Sequence, residues 1–291
     1  MPTPTQYFGY SVTNIGPLTT RFTPAPSCAT TQPNVYIETQ LADTRGLYGY
    51  PSCAAPKYEG CLPSGKSFDD LNSQLAASPH NGNLVFHSPG LRCPSGWKRA
   101  GAVVGGEKQA TRLRGVFTGY STSTAVPNGN PEPLPKLKAY AGILDPGETL
   151  VWCCPKGFRA NDDAMCTSDL GPLSSVKYSQ RCEVYLPTQD ILTVTSYQGT
   201  RLNNPLIIIT PAVTGISSST YTIAPSETSG LTVVSAVPVV ALIHKPSDTK
   251  GKDNWGNPVA DDDSPSTTLK PNLLGAILGT VLVVWTVANS F

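Results

Sequence analysis

At 291 residues, with 39% hydrophobic and 8% aromatic side chains, the chain is long enough for two domains and can bury a core, which excludes wholesale disorder. Only 14% of its residues are charged, whereas 26 glycines and 28 prolines make it rich in loops. The net charge of +1 leaves no field to gather nucleic acid, an anionic membrane surface or acidic substrates.

Residues 1–21 (MPTPTQYFGYSVTNIGPLTTR) show no basic start followed by an apolar run, so no secretory signal peptide can be read there. Three explanations compete: a first exon missing from the gene model, an apolar tail that itself drives export, or a tail-anchored protein with a cytosolic bulk. Short runs rich in β-branched and aromatic residues then recur at 35–41, 83–87, 102–104, 115–124, 137–144, 148–153, 176–186, 191–197, 206–210, 220–223 and 231–243. Gly, Pro, Asn and Ser punctuate them. Only 67–77 (SFDDLNSQLAA) has a helical period, with Phe68, Leu71 and Leu75 on one face, so a doubly wound sheet lacks its crossover helices. The predicted fold class is mainly β: a disulfide-stapled antiparallel region, sandwich-like or irregular, plus one C-terminal hydrophobic helix. Composition divides the chain into a cysteine-rich β region, 1–185, and a cysteine-free Ser/Thr-rich β region, 186–245, packed with it. A polar stalk, 246–272, and a hydrophobic tail, 273–291, follow.

The tail (LLGAILGTVLVVWTVANSF) holds no charged side chain, and as a helix it would rise roughly 28 Å against a hydrocarbon thickness of about 30 Å. Two readings stand. It is a retained transmembrane helix, or it is the cleaved signal for a glycolipid (GPI) anchor attached at Asp262, which Asp263 and Ser264 follow. Lys250, Lys252 and Lys270, on the N-terminal side of the tail, would make that side cytosolic. Cysteine usage argues the reverse.

Eight cysteines, Cys28, Cys53, Cys61, Cys93, Cys153, Cys154, Cys166 and Cys182, lie in the first two thirds of the chain, with no C-x-x-C pair and no histidine at zinc-finger spacing. A framework of structural disulfides explains them better than a metal site and implies an oxidising compartment. Adjacent Cys153 and Cys154 reach separate partners at lower geometric cost than each other; the connectivity stays open. One theme repeats around them. Cys61-Leu-Pro-Ser-Gly65, Cys93-Pro-Ser-Gly-Trp97 and Cys154-Pro-Lys-Gly-Phe158 each set a Cys, a Pro, and a Gly two residues after the Pro. Such turns fix the chain direction while the Cys pins it and the aromatic covers the bridge. Trp97 and Phe158 are also candidate platforms for stacking a ligand, a sugar above all.

Residues 60–67 (GCLPSGKS) match the phosphate-cradling loop G-x-x-x-x-G-K-[ST], in which Lys66 would meet phosphates and Ser67 a magnesium ion. That loop needs a buried strand before it, and residues 50–59 (YPSCAAPKYE) hold two prolines, a cysteine and no apolar run. His80, His87 and His244, the only histidines, form no H-E-x-x-H, and an isolated histidine is more often solvated than catalytic; no G-x-S-x-G supplies a nucleophile. The basic stretch 108–114 (KQATRLR) reads as a solvated strand edge. No N-x-[ST] sequon occurs, which leaves the hydroxyls of 217–229 and 264–268 as O-glycan candidates.

Four stretches together carry a resemblance: Gly16-Pro-Leu-Thr-Thr-Arg-Phe-Thr-Pro-Ala-Pro-Ser-Cys28, Ser88-Pro-Gly-Leu-Arg-Cys-Pro-Ser-Gly-Trp97, Cys153-Cys-Pro-Lys-Gly-Phe158 with Cys166, and Val233-Val-Ser-Ala-Val-Pro-Val-Val-Ala-Leu-Ile243. In their order and spacing the chain resembles uncharacterised ascomycete fungal cysteine-rich single-pass membrane proteins of the cell surface. The resemblance implies a cysteine-rich outer region, a low-complexity stalk and one C-terminal membrane helix, with no assigned activity. Ending at Phe291 without a basic cytoplasmic tail, this chain departs from that group, which favours the lipid anchor over signalling. The expected function is a membrane-attached extracellular surface or wall interaction protein, not an enzyme, using no cofactor. Its expected partners are the membrane and a cell-wall glycan or another surface protein, not nucleic acid. The rivals are a nucleotide-binding enzyme using loop 60–67 and a soluble secreted carbohydrate-binding protein. Oxidation of Cys61 separates the first rival, and membrane partitioning the second.

Overall fold

A computed structural model of the chain describes residues 1–29, 34–41, 44–54, 56–77, 81–107, 110–120, 131–176, 178–185, 191–209 and 217–249. In chain order the strands are β1 (Gln6–Tyr7), β2 (Tyr10–Asn14), β3 (Val35–Leu41), β4 (Thr44–Gly49), β5 (Gly82–Phe86), β6 (Trp97–Val104), β7 (Thr111–Gly115), β8 (Glu132–Pro133), β9 (Thr149–Pro155), β10 (Arg159–Ala160), β11 (Met165–Pro172), β12 (Gln180–Tyr185), β13 (Ile191–Tyr197), β14 (Thr200–Ile209), β15 (Ser217–Thr222), β16 (Leu231–Pro238) and β17 (Val240–His244). The α-helices are α1 (Gly65–Ala77) and α2 (Lys136–Gly142). The fold is thus mainly β. The strand pairings are antiparallel except β2 with β5 and β8 with β14. Two larger sheets, ordered β17-β9-β6-β7 and β10-β11-β16-β3-β4, stand beside three small ones, β1-β2-β5, β13-β14-β8 and β12-β15.

Strand β9 is buried on both faces, which is why Leu150 to Cys154 reads as an unbroken apolar run rather than an alternation. Side chains alternate across a strand, so Leu150, Trp152 and Cys154 enter one hydrophobic cluster while Val151 and Cys153 enter another. Strand β17 divides in the same way, Ala241 and Ile243 against Val240 and Leu242. The same alternation explains the adjacent cysteines. Pointing to opposite faces, they reach different partners: Cys153 bridges Cys93 and Cys154 bridges Cys166. The other bridges are Cys28–Cys61 and Cys53–Cys182, so all eight cysteines are paired. Cys154–Cys166 ties β9 to β11 and hence one large sheet to the other. Cys53–Cys182 closes beside Tyr50, whose backbone exchanges hydrogen bonds with that of Cys182.

The predicted strand 231–243 is two strands in different sheets. Pro238 cannot continue the ladder as a donor, Val239 donates its N–H to the Ala164 carbonyl at 3.0 Å, and the chain crosses from the five-stranded to the four-stranded sheet. Other expectations need correction. Residues 137–144, read as a strand, are mostly helix α2: Pro135 caps its start, and Leu137, Tyr140 and Ala141 fall at helical spacing into the main cluster. The strand expected at 115–124 ends instead at Gly115, where φ is +58° and a 3-10 turn, Val116–Gly119, takes over with Phe117 fully buried. Strand β7 is, as expected, an exposed sheet edge.

The histidines are the clearest reversal. His87 and His244 end the apolar runs of β5 and β17 and are buried with them. The His87 N–H donates to Ala241 O at 2.9 Å, its own carbonyl accepts from Ile243 N–H at 2.8 Å, and its Nδ1 lies 3.2 Å from Gly16 O. Burial pushes its pKa below the ordinary 6.5. His244 Nδ1 lies 3.1 Å from Gly90 O. Both are satisfied core groups; His80 lies outside the described residues, as do Asp262 and the tail 273–291. Among the described residues no helix is long and apolar enough to cross a membrane.

Candidate functional site

The three Cys-Pro-x-Gly segments converge on one cavity of about 610 Å³. Two of them are built alike. In Pro94-Ser95-Gly96-Trp97 and Pro155-Lys156-Gly157-Phe158 the aromatic N–H donates back to the proline carbonyl, at 3.1 Å in each case. The glycines stand at φ +78° and +88°, the left-handed conformation that a type II turn requires at that place. Neither glycine would bring a Cβ within 4 Å of anything, so conformation rather than space demands them. Antiparallel pairing of β6 with β9, with Trp97 opposite Pro155, brings both turns to the same end of the sheet. The Lys156 N–H donates to Gly96 O at 3.1 Å and joins them.

Trp97 and Phe158 are half-buried; each packs on the main cluster and lines the cavity. Trp97 also rests on the cluster holding Cys93 and Cys153, and Phe158 on the one holding Cys154 and Cys166. The opposite wall is the proline-rich segment 23–28, held by Cys28–Cys61 and by the Ser95 N–H donating to Phe22 O at 2.7 Å. Tyr58 and Leu62 complete that side; burial raises the Tyr58 phenol well above its usual range and keeps it neutral. The floor comes from the other large sheet. Ser168 of β11 stands directly opposite Ser235 of β16, with Leu170 and Val237 beside them. Neither serine hydroxyl is taken up by another group among the described residues. The lining carries one charge, the ammonium of exposed Lys156, and no carboxylate. The paired serines had no signal in the sequence, because only strand register makes them neighbours.

The third segment differs from the other two. The segment turns as expected, the Gly65 N–H donating to Leu62 O at 3.0 Å, but Gly65 here opens helix α1 rather than leading to an aromatic ring. This also bears on the phosphate-loop match. No strand leads into it among the described residues of 50–58, and Cys61 is bridged to Cys28. Lys66 pairs with Asp70 one turn along the helix at 3.1 Å, 85% exposed. A Cβ on Gly65 would lie 1.9 Å from the Glu59 carbonyl oxygen, so a backbone crossing explains that glycine without any phosphate. Gly65→Ala is therefore expected to lower the unfolding free energy by about 2 kcal/mol or more, and Lys66→Ala to change it by less than about 0.5 kcal/mol. Urea denaturation measures both; an ATP or GTP complex in calorimetry that Lys66→Ala abolishes would restore the nucleotide reading. No protein-family model, curated protein or solved structure matches the chain.

Proposed function

We propose that the chain is a membrane-attached protein of the cell surface, its cysteine-rich region outside, which acts by binding rather than by catalysis. The observation that carries this reading is the complete pairing of eight cysteines, seven of them buried or half-buried, in a region whose loops those bridges close. Such a framework is maintained in oxidising compartments and is rare in the cytosol. The uncharged segment 273–291 supplies the attachment, as a retained helix or as a lipid-anchor signal processed near Asp262. The cavity between the matched turns supplies the binding site.

Thiol labelling in denaturant of protein taken from its host is expected to find no free thiol before reduction and eight after it. Six or more labelled cysteines without reductant would overturn the extracellular assignment. Deleting 273–291 is expected to move the protein to the soluble fraction. An anchor-cleaving phospholipase then separates the two attachments: release supports processing near Asp262, and persistence with the Phe291 terminus intact supports the helix. A deleted form that stays with membranes at high salt would overturn both.

A further inference from the structure

We infer that the cavity binds a neutral oligosaccharide, its ring faces against Trp97 and Phe158 and its hydroxyl edge on Ser168 and Ser235. This deepens the reading of the chain as a binding module and rests on it. A pyranose ring has an apolar C–H face and a polar rim. It asks for an aromatic surface beside groups that both donate and accept hydrogen bonds. The cavity offers that combination from two different sheets. The rings come from the β6/β9 end of one sheet, and the hydroxyls from the β11/β16 pair of the other.

Two features select this ligand class over its competitors. With one exposed ammonium and no carboxylate, the lining has no cluster to clamp a phosphate or a polyanion. Of its floor strands, β16 lies between β11 and β3, whereas β10 covers β11 only at Cys166 and Thr167. The volume of about 610 Å³ suits a small-molecule ligand rather than a protein surface. Preorganisation is also present. The two positive-φ glycines and the Lys156 N–H bond to Gly96 O hold the rings before any ligand arrives, so little ordering cost remains on binding.

The test titrates the full-length, detergent-solubilised chain with tetrasaccharides of glucose, mannose and N-acetylglucosamine in a calorimeter. At least one is expected to bind, with Trp97→Ala weakening it tenfold or more and Ser168→Ala threefold or more. Trp97 also packs on the core, so a thiol count of zero in each variant certifies the fold. Ser168→Ala removes only a hydroxyl from a partly exposed strand position. Failure of all three sugars with the wild-type chain at millimolar concentration overturns the inference. So does binding that both variants retain, or capture of a proline-rich peptide in their place. The outcomes separate from those on location: free thiols with intact sugar binding would sink the surface assignment alone, and paired thiols without sugar binding would sink the site alone.

Discussion

Replacing Cys93 and Cys153 together by alanine is expected to lower the unfolding free energy by about 4 kcal/mol, and replacing Cys154 and Cys166 by about 3 kcal/mol. The bridges span 60 and 12 residues of sequence, and a cross-link restricts the unfolded chain more when its loop is longer. All four cysteines are buried, with at most 3% exposure, so the burial lost is alike in the two pairs. Their difference, about 1.4 kcal/mol on the loop-closure relation, isolates the loop. Guanidinium denaturation of the two double variants measures it. A larger loss for the short bridge would mean that the Cys154–Cys166 link between the two large sheets matters through the native state, not through loop entropy.

Much of this architecture was legible because it is local. The β-branched runs at 35–41 and 191–197 coincide with β3 and β13, and the helical period at 67–77 lies within α1. Helix α2 was missed because its apolar residues imitate a short strand; Pro135 before Lys-Leu-Lys-Ala-Tyr-Ala-Gly was the signal that could have found it. The histidines were misjudged for a related reason. Each ends an apolar strand, and carbonyls from distant segments, Gly16 and Gly90, make room for a ring in the interior. What the sequence could not supply was tertiary. The cysteine theme was visible as three motifs, but their convergence follows from the β6/β9 register and from Cys28–Cys61. Ser168 and Ser235 lie 67 positions apart by their own numbering and meet only through the β11/β16 pairing.

Trp152→Ala is expected to cost about 3–5 kcal/mol, the range for deleting a fully buried large aromatic side chain. The indole lies 4.7 Å from the Phe117 ring and 5.4 Å from that of Tyr140, the latter edge to face, so the void would fall in the centre of the main cluster. The indole nitrogen changes the arithmetic for a smaller cut. Among the described residues Trp152 Nε1–H is buried with no hydrogen-bond partner, a group whose desolvation costs about 1–3 kcal/mol. Trp152→Phe keeps much of the ring surface and removes that orphan donor, so the two effects oppose and the net loss is expected to stay below about 2 kcal/mol. Tyr140 provides the control on the neighbouring ring. Its buried hydroxyl donates to Val85 O at 2.7 Å, and Tyr140→Phe deletes a bond that is made, costing about 1–2 kcal/mol with no compensating relief. Urea midpoints of the three variants, read with unchanged slopes, decide the matter. If Trp152→Phe proves as costly as Trp152→Ala, the indole N–H has a partner in solution and the orphan assignment is wrong.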